Sequence, residues 1–65
     1  MSETILLTVH EVSKVLNISL PTVYKLCHSQ GFPALKIGRS WRVNKDLLND
    51  WASKKALEDA HNYYY

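Results

Sequence analysis

Apolar residues change their period along this chain, and each period marks an element. From Val9 onward the spacing is helical: Val9, Val12 and Leu16 share one face with Val15 at its edge, while His10, Ser13 and Lys14 point away. T-V-H-E at Thr8–Glu11 is a capping box, in which the Thr8 hydroxyl accepts from the Glu11 amide and the Glu11 carboxylate reaches back to the Thr8 N–H. Leu7 stands where a hydrophobic staple would meet Val12. A helix of about two turns does not hold alone, so a partner helix must lie nearby. Asn17 suits the left-handed residue that ends a helix, and Ile18 is expected to bury as the chain turns. Ser19 is the next N-cap, and Pro21 falls in the first turn, where its missing N–H costs nothing. The second helix is expected to run to about Ser29, with Val23, Leu26 and Cys27 inside and Pro21, Thr22, Tyr24, Lys25 and His28 outside. Gly31 supplies the stop.

After a bend at Phe32-Pro33 the period becomes two. Leu35, Ile37, Trp41 and Val43 are apolar and Lys36, Ser40 and Arg42 polar, as in a β-hairpin with one buried face. Putting every apolar position inward pairs Ile37 with Trp41 and Leu35 with Val43 around a Gly38-Arg39-Ser40 loop. That register sets Lys36 opposite Arg42 on the outer face. Like charges so opposed destabilise a hairpin unless an anion lies against them. Asn44 is expected to cap a third helix, with Asp46 in its first turn and Leu47, Leu48 and Trp51 on its apolar face beside Ala52. Asp50 and Lys54 form an i,i+4 pair. The third helix is expected to fray between Ala56 and Ala60. The expected architecture is mainly α with a small β-hairpin: a winged helix-turn-helix of three helices plus a two-stranded wing. One domain covers residues 1–65, with a core over about 6–57, a loose start at Met1–Thr4, an apolar lead-in at Ile5–Leu7 and a flexible tail over 61–65.

Charge sharpens this picture. Between Val12 and Lys45 lie six basic residues, Lys14, Lys25, Lys36, Arg39, Arg42 and Lys45, and no acid, although the net charge is only +2. A basic middle on two short helices and a hairpin is a nucleic-acid footprint. Sixty-five residues cannot form both a core and a deep enzyme cleft. One cysteine excludes an internal disulfide or a cysteine-rich zinc cage and fits a reducing cytoplasm. No signal-like start and no membrane-length apolar run is present.

The pattern L-L-T-V-H-E-V-S-K-V-L-N-I-S-L-P-T-V-Y-K-L, followed by P-A-L-K-I-G-R-S-W-R-V and D-L-L-N-D-W, resembles the excisionase-type helix-turn-helix family, small winged-helix DNA-binding proteins similar in fold to the DNA-binding domains of MerR-like regulators. The resemblance covers roughly Leu6 to Trp51. It implies that Pro21, Thr22, Tyr24, Lys25 and His28 of the second helix meet bases and phosphates in the major groove of double-stranded DNA. It further implies that Lys36, Arg39, Ser40 and Arg42 of the wing meet the backbone or the adjacent minor groove. In the family, basic residues are frequent where this chain has Tyr24 and His28. Pro21 has only an apolar contact to offer, such as a thymine methyl. The implied role is a recombination directionality factor that binds and bends attachment-site DNA, with an integrase (a tyrosine recombinase) and further copies of itself as partners. A small transcriptional regulator would use the same face.

Other chemistry weighs little. Cys27 and His28 are adjacent, but successive helical residues diverge by about 100°, and Cys27 falls on the inner stripe as an inert thiol. His10, His28 and His61 have no metal-ligand spacing with Cys27. Trp41 and Trp51 are expected in the core. No catalytic constellation, metal or cofactor is therefore expected. The third helix and the tyrosine tail are the candidate surfaces for contact with the integrase or further copies, and the rival of a different class is a protein-interaction module, such as an antitoxin-like or anti-repressor partner, that does not bind DNA.

Overall fold

The computed structural model describes residues 4–63. Strand β1 (Leu6–Thr8) runs directly into helix α1 (Val9–Leu16), then come α2 (Leu20–Cys27), the hairpin strands β2 (Ala34–Ile37) and β3 (Ser40–Asn44), and helix α3 (Lys45–Tyr63). The capping box forms in both directions: the Thr8 N–H donates to Glu11 Oε1 at 2.8 Å and the Glu11 N–H donates to Thr8 Oγ1 at 3.1 Å. Asn17 takes the left-handed conformation at φ 56°. The Ile18 N–H donates to the Ser13 carbonyl at 3.0 Å, and the Ser13 hydroxyl donates back to the Ile18 carbonyl at 2.6 Å. Ser19 stands at the α2 N-cap, but its hydroxyl pairs with Thr22 Oγ1 at 2.8 Å rather than with an amide. Asn44 caps α3 through a 2.9 Å bond from the Leu47 N–H.

Val9, Val12, Val23, Cys27, Phe32, Val43 and Leu48 form one buried cluster. Leu7, Leu16, Ile18, Leu20, Leu26, Ala34, Trp41 and Trp51 pack around it. Phe32 closes it from the bend, edge-on to Trp51 at 4.9 Å between ring centroids.

The sheet departs from expectation in two ways. It has three antiparallel strands in the order β1-β3-β2, because the apolar lead-in pairs with β3 from Leu6↔Asn44 to Thr8↔Arg42. The hairpin also closes one residue tighter than expected, pairing Leu35 with Arg42, Lys36 with Trp41 and Ile37 with Ser40 around Gly38-Arg39. Gly38, at φ 63°, supplies the positive φ that a two-residue primed turn needs at its first position. The inner face therefore carries Ala34 and Lys36 beside Trp41 and Val43. Leu35 and Ile37, expected inside, are 39% and 53% exposed on the outer face with Arg42. Phe32 supplies the bulk that Leu35 was expected to give, so the space before β2 needs only the small Ala34.

Smaller corrections lie in the helices. The second helix ends at Cys27, with His28 as its cap, rather than near Ser29. Leu47 lies outside at 53% exposure, leaving Leu48 as the buried contact of α3. α3 continues through Tyr63, past the expected fraying point, while Tyr64, Tyr65 and the start at Met1–Glu3 lie outside the described residues. Among the described residues no helix is long and apolar enough to cross a membrane.

Candidate nucleic-acid interface

Helix α2 buries Val23 and Cys27 and half-buries Leu20 and Leu26, which leaves Pro21, Thr22, Tyr24, Lys25 and His28 exposed as expected. Four of these, Pro21, Tyr24, Lys25 and His28, follow i, i+3, i+4, i+7 spacing and form one stripe along the helix. Tyr24 shares a cleft with Arg39, Ser40, Trp41 and Arg42, so the second helix and the wing meet there. Thr8, Val9 and His10 from the start of α1 complete the walls.

The register decides where each wing cation goes. Arg39 is exposed at the hairpin tip. Arg42 is half-buried, and its Nη1 donates to the Trp41 carbonyl at 2.9 Å. Lys36 and Arg42 were expected side by side on the outer face; the tighter turn puts them on opposite faces of the hairpin. Lys36 instead holds its Nζ 5.5 Å from the centre of the Trp41 ring. His28 meets the same ring edge-on at 5.3 Å. The indole thus lies between the end of α2 and strand β2.

The basic middle does not converge as a whole. Lys14 and Lys45 line a different groove, between α1 and α3, together with Leu7, Glu11, Val15, Leu48 and Asn49. Glu11 has its carboxyl held below the usual range, first by the bonds to Thr8 and then by the charges of Arg42 and Lys14, against an opposing desolvation. Burial pushes the Cys27 thiol up, which keeps it protonated and unreactive. Among the described residues no three His, Cys, Asp or Glu side chains come together as metal ligands would.

Sequence reasoning missed His10, which it placed on an idle face of the first helix. The signal was available only through pairing: once Leu6–Thr8 becomes a strand beside β3, the first turn of α1 must lie against the wing.

The comparisons with known proteins agree with this architecture. No solved structure matches the chain significantly. Two proteins of Mycobacterium tuberculosis, one from strain CDC 1551 and one from strain H37Rv, are each 43% identical to it over 49 residues. Both are provisionally named as DNA-binding proteins, and the match covers 75% of this chain but 63% of theirs. A model described as a helix-turn-helix domain matches residues 6–56 of the 65, and the chain belongs to that family.

Proposed function

We propose that this chain is a sequence-specific double-stranded DNA-binding protein of the excisionase type. In this reading it is a recombination directionality factor that binds and bends attachment-site DNA beside an integrase. The observation that carries the DNA-binding reading is the cleft where Tyr24 of α2 meets Arg39, Ser40 and Arg42 of the wing. A helix presenting an exposed stripe next to a cationic ribbon suits a duplex, with the helix in the major groove and the ribbon on the adjacent backbone. The family membership and the names of the two mycobacterial relatives support the same reading. The excisionase role rests on the sequence resemblance described above.

In this reading Pro21, Thr22, Tyr24, Lys25 and His28 meet base edges and phosphates in the major groove, and Lys36, Arg39, Ser40 and Arg42 meet the backbone or the adjacent minor groove. Four of these side chains, Lys25, Lys36, Arg39 and Arg42, are cations. If each neutralises one phosphate, log affinity falls with log salt at a slope of about −3.6. One module of this size buries too little surface for tight binding alone, so neighbouring copies or the integrase supply the rest.

The test is a gel shift on DNA from the element's own attachment region, with and without integrase, over a range of salt. Lys36→Ala with Arg42→Ala should weaken binding to all sequences alike and flatten the slope by about two contacts' worth. Thr22→Ala or Lys25→Ala should erode the preference for the cognate site. Absence of salt-dependent binding to any duplex would overturn the proposal.

A further inference from the structure

The cleft between the first turn of α1, Tyr24 and the wing is lined by two arginines and a histidine, and it uses an element that the DNA-binding reading leaves idle. Its walls are Thr8, Val9, His10, Tyr24, Arg39, Ser40, Trp41 and Arg42, and they enclose about 280 Å³. No carboxylate lies among them. Two other grooves differ: one between α1 and α3 includes Glu11, and one between the Gly31-Pro33 bend and α3 includes Asp50.

The donors in the cleft are diverse and come from three elements. Arg39 and Arg42 bring planar guanidinium forks, which match phosphate oxygens better than a point charge does. Tyr24 and Ser40 bring hydroxyls, and His10 brings an imidazole. The sheet adds to this. β1 ends at Thr8↔Arg42, so strand β3 has no neighbour on that side at Trp41. The alternation of an antiparallel ladder turns the Trp41 backbone groups toward that side. The Trp41 carbonyl accepts from Arg42 Nη1, which ties the guanidinium to the cleft wall. The end of α1 contributes less, because Thr8 and Glu11 satisfy each other there.

We infer that this cleft seats a single phosphate of the DNA backbone, and that His10 is a direct contact to it. The inference rests on the proposed DNA binding and deepens it: the first helix joins the second helix and the wing in one interface. His10 then touches the strand that runs from the major groove read by α2 toward the ribbon.

The experiment measures the affinity of the full chain for a labelled random-sequence duplex over a range of salt. His10→Glu should weaken binding about tenfold, the loss of one hydrogen bond to a charged group. His10→Lys should keep at least wild-type affinity. An acidic residue in the first turn suits a helix N-terminus, so His10→Glu should keep the wild-type circular dichroism and melting temperature. Asn49→Glu, in the groove between α1 and α3, is the control for a new negative charge and should bind like wild type. His10→Ala and Arg39→Ala should be non-additive, since both remove contacts to one phosphate.

The outcomes separate cleanly. If wild type binds with a steep salt slope and both His10→Glu and His10→Lys match it, the cleft assignment is overturned and the DNA-binding reading stands. If wild type shows no salt-dependent duplex binding, both fall. Replacing chloride by inorganic phosphate at equal ionic strength should leave duplex affinity unchanged. Displacement of the duplex by low-millimolar phosphate would assign the cleft to the free anion and overturn the backbone-phosphate proposal.

Discussion

The helix pair and the hairpin are held by forces of different range. From Thr8 to Ile18 the decisive hydrogen bonds span three to five residues: Thr8 with Glu11, and Ser13 with Ile18. From Phe32 to Asn44 the decisive choices are non-local: which residue of β2 faces Trp41, and what lies on the far side of β3. Local hydrogen-bonding signals fix a helix end to the residue. A strand register is fixed only by everything its two faces touch, and a slip of one residue exchanges those faces.

Four measurements would break or sharpen that contrast. The largest effect is expected from Val43→Ala, which strips two methyls from a side chain with no exposed surface and should cost about 2 kcal/mol in denaturant unfolding. Ile37→Ala, at 53% exposure, should stay within about 0.5 kcal/mol. Equal losses at the two sites would restore the looser register, with Ile37 inside.

Thr8→Ala comes next. It removes the hydroxyl half of the α1 cap and should cost about 1 kcal/mol by the same assay. An effect near zero would mean that strand pairing, rather than capping, fixes the start of α1.

Leu35→Glu has the opposite sign. It sets a carboxylate directly across from Arg42 at a position 39% exposed, and should be neutral or stabilising by up to about 0.5 kcal/mol. With Leu35 buried against Val43, the same change would unfold the chain.

The smallest effect concerns pH. The folded Glu11 carboxyl titrates below its ordinary value of 4.5. Its contribution to stability is therefore present above that value and is lost as the pH falls through the lowered folded one. Unfolding curves at neutral and successively lower pH should show a fall in wild type that is shallower in Glu11→Gln.

The same contrast explains how much of the fold was legible. The capping box, the left-handed Asn17, the Asn44 cap and the exposed stripe of α2 each follow from a few neighbouring residues, and each forms. The inward placement of Trp41 and Val43 was also legible, because β3 lies in the middle of the sheet and its alternation is enforced from both sides. The alternation of β2 misled. Its apolar residues sit on an edge strand, where an exposed Leu35 or Ile37 costs little, and Phe32 outside the strand takes the buried volume instead. β1 was hidden because three residues are too few for a period, and with it went the reason for His10 to approach the wing.

The indole of Trp41 is a shared partner, met edge-on by the His28 ring and approached by the Lys36 ammonium, so one side chain links the end of α2 to strand β2. Trimming Trp41 to a small side chain would therefore release both partners at once and loosen the end of α2 and the hairpin together.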